Sequence, residues 1–275
     1  MPMLISLALV SLKNGQLPPF TGNLVRGWFL NSLRETNPDL ASKLHSAPGP
    51  KPFCVKPLHP VGFKMNVKNN SWIIEQNMKY AFDIGITDDE IIDDVFNAIT
   101  KSAEKTIEFY KVPFKVDTIT IKKKTYEELH SADIGPRIGI EFITPTAFSQ
   151  PFIEFDYLFP EPVRVFGNLL RIWNKYAPEE YQFNPEEVLE SCKKLIKVRS
   201  YKLRTREVQI ERNIVKVGVQ GRVEIIVYEE NLRKVIASLL GLSEFSNVGI
   251  KRTYGMGVIK YTDLSQKILQ TTSNF

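Results

Sequence analysis

A chain of 275 residues, 43% hydrophobic with 17 Phe and 10 Tyr, holds enough apolar mass for one large or two medium cores, which excludes wholesale disorder. Thirty-six Lys+Arg against 31 Asp+Glu leave a net charge of +5, compatible with a nucleic-acid partner but too mild to establish one. Two distant cysteines, Cys54 and Cys192, and three scattered histidines, His45, His59 and His130, argue against a disulfide framework or a zinc site. No metal and no cofactor is expected, a reducing cytoplasm fits, and no apolar run reaches the roughly 18 residues that span a bilayer.

In chain order, residues 3–12 read as a first strand, apolar but without the basic leader of an export signal. Asn14-Gly15 and Pro18-Pro19 break it, and a helix is predicted over 22–35. Asn37 caps and Pro38 starts a short second helix that ends near His45. Strands are expected at 53–55, 62–67 and 71–74. Thr87 is expected to cap a helix running to about residue 100, with Asp88, Asp89 and Glu90 in its first turn. Residues 106–123 supply the closing strand.

The second half repeats this order. A strand is predicted at 137–143, helices at 162–176 and 185–195, and a long hairpin at 196–208 and 215–228. A helix at 231–240, stopped by Gly241, precedes a glycine loop and a last strand. The fold class predicted is α+β: two tandem ferredoxin-like (RRM-like) βαββαβ units with antiparallel sheets. They span residues 1–124 and 137–265, joined around 125–136.

The glycine loop is Gly249-Ile-Lys-Arg-Thr-Tyr-Gly255-Met-Gly257. Its order, helix then loop then strand, is the reverse of a Walker phosphate loop, and the Gly-Lys-Ser/Thr ending is missing. The loop reads either as a nucleic-acid backbone clamp, with Gly249, Gly255 and Gly257 freeing backbone amides and Lys251 and Arg252 supplying charge, or as a tight turn feeding an edge strand. Tyr254 serves either to stack on a base or to anchor the loop. Lys202, Arg204 and Arg206 alternate along one strand and so share a face. Lys197 and Arg199 take the opposite parity unless a bulge intervenes. Together with the loop, this face forms a phosphate-binding strip or a merely solvated surface.

Four segments, in order, resemble the CRISPR repeat-processing endoribonucleases of the repeat-associated RNA-binding superfamily. They are Asn37–His45 with Gly49–Phe53, then Glu141–Thr146, then Phe159–Pro162 with Arg171–Asn174, then Val248–Gly257. The resemblance covers nearly the whole chain. It implies a CRISPR repeat RNA partner, cut without metal into guide units, with a CRISPR effector complex and a homodimer as further associations open to such a chain.

The resemblance places a catalytic histidine and lysine at His45 and Lys51. It places the family's helix tyrosine at Leu30, which cannot exchange a proton. Helical geometry sets Leu30 on the polar face of the first helix, opposite Val25, Phe29 and Leu33, with Arg26 one turn away to supply charge. A histidine suits proton transfer to a leaving oxygen, and a lysine suits charge stabilisation of a phosphorane. The alternative to this chemistry is a non-catalytic RNA-binding subunit. A third reading is a protein-binding module.

Overall fold

The computed structural model describes residues 1–46, 48–150 and 155–265. The first half contains β1 (Met3–Ser11), β2 (Gly15–Leu17), α1 (Gly22–Thr36), α2 (Pro38–Ser46), β3 (Phe53–Pro60), β4 (Val67–Lys68), β5 (Ser71–Ile74), β6 (Lys79–Ile86), α3 (Ile92–Ala103), β7 (Ile107–Phe109) and β8 (Val112–Lys123). A short α4 (Tyr126–His130) leads to β9 (Arg137–Thr146), α5 (Pro162–Tyr176), α6 (Pro185–Leu195), β10 (Ile196–Glu211), β11 (Ile214–Val227), α7 (Glu230–Ser246) and β12 (Ile259–Asp263).

The first antiparallel sheet runs β3-β6-β1-β8-β7, and the second runs β10-β11-β9-β12. Each contains the ferredoxin-like strand order, in which the first strand is central beside the third and fourth. The alternation of β1 explains its placement. Met3, Ile5, Leu7 and Leu9 are fully buried against Val25, Phe29 and Leu33 of α1 and Val95 and Ile99 of α3. Burying each such side chain stabilises the fold by about 1.5–3 kcal/mol.

Several sequence expectations are corrected. The third strand of the first sheet is β6, whose Tyr80, Phe82, Ile84 and Ile86 are fully buried. Its period-two pattern is faint in the sequence because Lys79, Asp83 and Gly85 dilute its apolar character. Residues 71–74, expected in the main sheet, pair instead with β2 and β4 in a small separate sheet, and only Val67 of the 62–67 segment is strand. Asp88, rather than Thr87, supplies the cap, because the Thr87 hydroxyl donates to the Pro52 carbonyl. The joining segment contains α4, closed by a capping box between Thr125 and Glu128.

Gly241 does not stop α7. It lies inside the helix, where a Cβ would sit 2.9 Å from the Leu129 side chain. The longer helix reaches the first half: Gly85 of β6 leaves room for the Phe245 carbonyl, where a Cβ would lie only 2.2 Å from that oxygen. The Cys54 thiol donates to the same carbonyl at 3.4 Å. Thus α7 lies between the second sheet and the back of the first. No helix among the described residues is long and apolar enough to cross a membrane.

Candidate active site

The chain leaves α2 at the exposed His45 and doubles back to Lys51. The Lys51 ammonium donates to the Leu44 carbonyl at 2.8 Å and to the His45 carbonyl. It thereby satisfies two of the carbonyls that a helix end leaves open, where a cation is favoured. Burial, then the charges of Arg26 and Lys251, hold this ammonium below the usual lysine range.

The second half fixes this turn. Lys175 and Tyr176, at the end of α5, donate to the Pro50 carbonyl at 2.8 and 2.5 Å. Arg252 donates to the Lys51 carbonyl at 3.1 Å through Nη2 and to the Ser246 carbonyl at 2.6 Å through Nη1. Arg252 is 7% exposed, and its burial pulls the guanidinium below the usual arginine range. The sequence expectation of a phosphate contact is therefore corrected: this cation is an internal strut.

The glycine expectation is corrected as well. The amides of Gly249, Gly255 and Gly257 donate to Asn168 Oδ1, the Arg252 carbonyl and the Pro145 carbonyl, so none is presented to a ligand. Gly257 has φ +77°, and a Cβ there would lie 1.7 Å from the Val248 oxygen. The glycines serve tight packing. Asn247, also at positive φ, ties the loop to β3 by donating to the Val55 carbonyl at 2.9 Å.

Arg26, His45, Lys51, Arg171, Lys251 and Tyr254 line one cleft of about 460 Å³ between the halves. Among the described residues the lining holds no Asp or Glu. Arg26 lies 4.5 Å and Lys251 5.4 Å from the centroid of the Tyr254 ring, whose hydroxyl donates to Glu211. It anchors the loop to the end of β10. Among the described residues no three His, Cys, Asp or Glu side chains are grouped to hold a metal ion.

Leu30 is corrected: it is 5% exposed and part of the first core, not on the polar face. The packing of α2, β3 and the glycine loop against α1 widens its buried stripe beyond what the helical period alone implies.

Lys202, Arg204 and Arg206 are exposed and do not line this cleft. A bulge between Val198 and Ser200 brings Lys197 onto their face: it partners Ile226, as Lys202 partners Arg222. That face is opposite Val223 and Ile225, which belong to the helix-side core. Arg137, at 2.9 Å, and the more distant Arg199 and Arg222 surround Glu224, whose carboxyl is held below the usual range chiefly by the Arg137 hydrogen bond.

Sequence reasoning did not assign Arg171 or Asn168 to the site. The available signal was the strong stripe of α5: Val165, Phe166, Leu169, Leu170 and Trp173 are buried, which turns 164, 168, 171 and 175 to one polar side.

Residues 140–259 match the family model of the CRISPR-associated endoribonuclease Cas6. Over these residues the chain is similar to Cas6. The family resemblance drawn from the residues is thereby upheld, and the tandem ferredoxin-like fold agrees with solved structures over nearly the whole chain. A Cas6 product complex is 24% identical, with a TM-score of 0.77 over 95% of this chain and 100% of that one. Thermus thermophilus Cas6 is 23% identical, with a TM-score of 0.66 over 95% and 98%. A structure described as an RAMP protein binding different RNA substrates is 18% identical, with a TM-score of 0.63 over 94% and 99%. No curated protein matches the chain by sequence. The matched region contributes Arg171, Lys251 and Tyr254 to the cleft, whereas Arg26, His45 and Lys51 precede it.

Proposed function

We propose that this protein is a metal-independent endoribonuclease that cuts CRISPR repeat RNA into guide units. The ribose 2′-hydroxyl attacks the adjacent phosphorus, the 5′-oxygen leaves, and a 2′,3′-cyclic phosphate remains. The observation that carries the reading is the meeting of His45, Lys51, Arg26, Arg171 and Lys251 around one cleft whose described lining has no carboxylate. The matched region and the product-complex neighbour support the same substrate class.

In this scheme solvent water takes the proton of the attacking 2′-hydroxyl, and His45 delivers a proton to the leaving 5′-oxygen. An ammonium has three protons; Lys51 gives two to helix carbonyls and keeps one for a phosphorane oxygen. Lys251, Arg26 and Arg171 add charge at the phosphate. The cationic face of Lys202, Arg204 and Arg206 holds RNA away from the cut.

The second reading is a non-catalytic RNA-binding subunit of a CRISPR complex. It is favoured by Leu30, whose burial leaves Arg26 as the α1 side chain in the cleft and no hydroxyl from that helix. One experiment separates the two: incubation with repeat RNA in EDTA, beside RNA with a single 2′-deoxyribose at the cut site. Cleavage of the all-ribose RNA alone, abolished by His45→Ala, supports the enzyme. Tight binding without cleavage selects the subunit, and an absence of binding removes both.

A further inference from the structure

A second concavity, of about 780 Å³, lies between α5 and α6 and shares Ser149, Asn168 and Arg171 with the cationic cleft. We infer that this groove is a binding site for the base of one unpaired nucleotide adjoining the phosphate held in the cleft. The inference rests on the RNA reading given above and extends it to a base-binding site.

The chemistry of the groove fits a nucleobase, which has apolar faces and hydrogen-bonding edges. Val163, Leu170 and Leu189 supply apolar walls, while Gln150 and Asn168 add amide groups to the lining. Mostly apolar concavities of this size with a few placed polar groups are typical small-molecule sites, and single-stranded RNA is recognised by turning bases out into such sites. Gly167 lets α6 come close: a Cβ there would lie 2.9 Å from Leu189.

Charge sets the direction of entry. Arg164 is paired with Glu161, and Lys175 donates to Pro50; among the described residues Arg171 has no comparable partner. Arg171 is exposed at the wall common to the two concavities. A phosphate on Arg171 therefore has the cleft on one side and the apolar groove on the other. The Asn168 carbonyl oxygen is taken by the Gly249 amide, which leaves its NH₂ group to meet a base edge.

The test measures binding of the full chain to repeat RNA carrying a 2′-deoxyribose at the cut site, so that cleavage does not enter. A series of such RNAs, each lacking one base beside the deoxyribose, is compared on the wild type, Arg171→Ala and Gln150→Glu. Loss of one particular base is expected to weaken wild-type binding about tenfold. In Gln150→Glu the same loss is expected to cost less than twofold, while Arg171→Ala weakens every RNA by a similar factor. If no single base matters, or if its loss costs Gln150→Glu as much as wild type, the groove is not a base site. RNA that is bound in this pattern but never cut when the ribose is restored overturns the nuclease chemistry and leaves the groove standing. Failure of the wild type to bind repeat RNA overturns both.

Discussion

The guanidinium of Arg252 donates to the backbone carbonyl of Lys51 across 3.1 Å, from one half of the chain to the other. The same turn is held a second time through Pro50 by Lys175 and Tyr176. The position of the Lys51 ammonium thus depends on residues more than a hundred positions away. Mutations in the glycine loop act on the cleft through this connection.

Arg252→Met is expected to destabilise the protein by about 1–3 kcal/mol, because it leaves the Lys51 and Ser246 carbonyls without their donors. Urea unfolding measures this. A variant with unchanged stability but a flatter salt dependence of RNA binding would restore the phosphate-contact role.

Lys251→Ala leaves the core untouched and removes a cation from the cleft. RNA affinity is expected to fall, and the slope of log K against log salt to lessen by about 0.7 for a single-stranded contact. Substituting Lys202, Arg204 and Arg206 together should lessen it by about three times as much. Fluorescence titration over a salt series checks both; an unchanged slope in either case assigns those residues to a solvated surface.

Lys51 titrates below the usual lysine range through burial and the neighbouring charges of Arg26 and Lys251. Its charge, and the RNA affinity it supports, is therefore lost at lower pH than for an ordinary lysine. Removing a neighbouring positive charge raises a lysine pKa, so Lys251→Ala is expected to move the alkaline fall of RNA binding to higher pH. A fall at the same pH in both proteins would show that another group controls it.

Cys54 and Cys192 are buried thiols, which burial pushes up to about 11 and about 12. Thiol reactivity requires the thiolate, so the folded protein is expected to resist a thiol reagent at pH 8 and the denatured chain to take up two equivalents. Rapid labelling of Cys54 in the folded protein would contradict the packing of α7 on β3 and β6, and rapid labelling of Cys192 the burial of that face of α6.

The elements most legible in the sequence were those whose apolar period or caps stood alone. Helices α5 and α6 begin at prolines and end where the apolar stripe ends, and β10 and β11 show long alternation. β6 was hidden because its alternate positions are small or charged. Leu30 could not be placed from α1 alone, since its burial depends on elements outside that helix. Of the site, His45 and Lys51 came from the family pattern and Lys251 from the glycine loop, whereas Arg171 lies in a family-like segment that gave it no role. Arg252 misled because a cation beside glycines reads as a ligand contact, and its two carbonyl partners are visible only after the halves dock.

Helix α7 is an inner layer for both sheets, and this has a consequence during synthesis. Until the ribosome has passed Ser246, the back of the first sheet, including Gly85 and Leu4, has no cover. Apolar surface left bare in this way invites association with other chains. The N-terminal half should therefore aggregate when expressed alone, and the complete chain should melt in a single transition, because neither sheet can lose the helix without exposing the other.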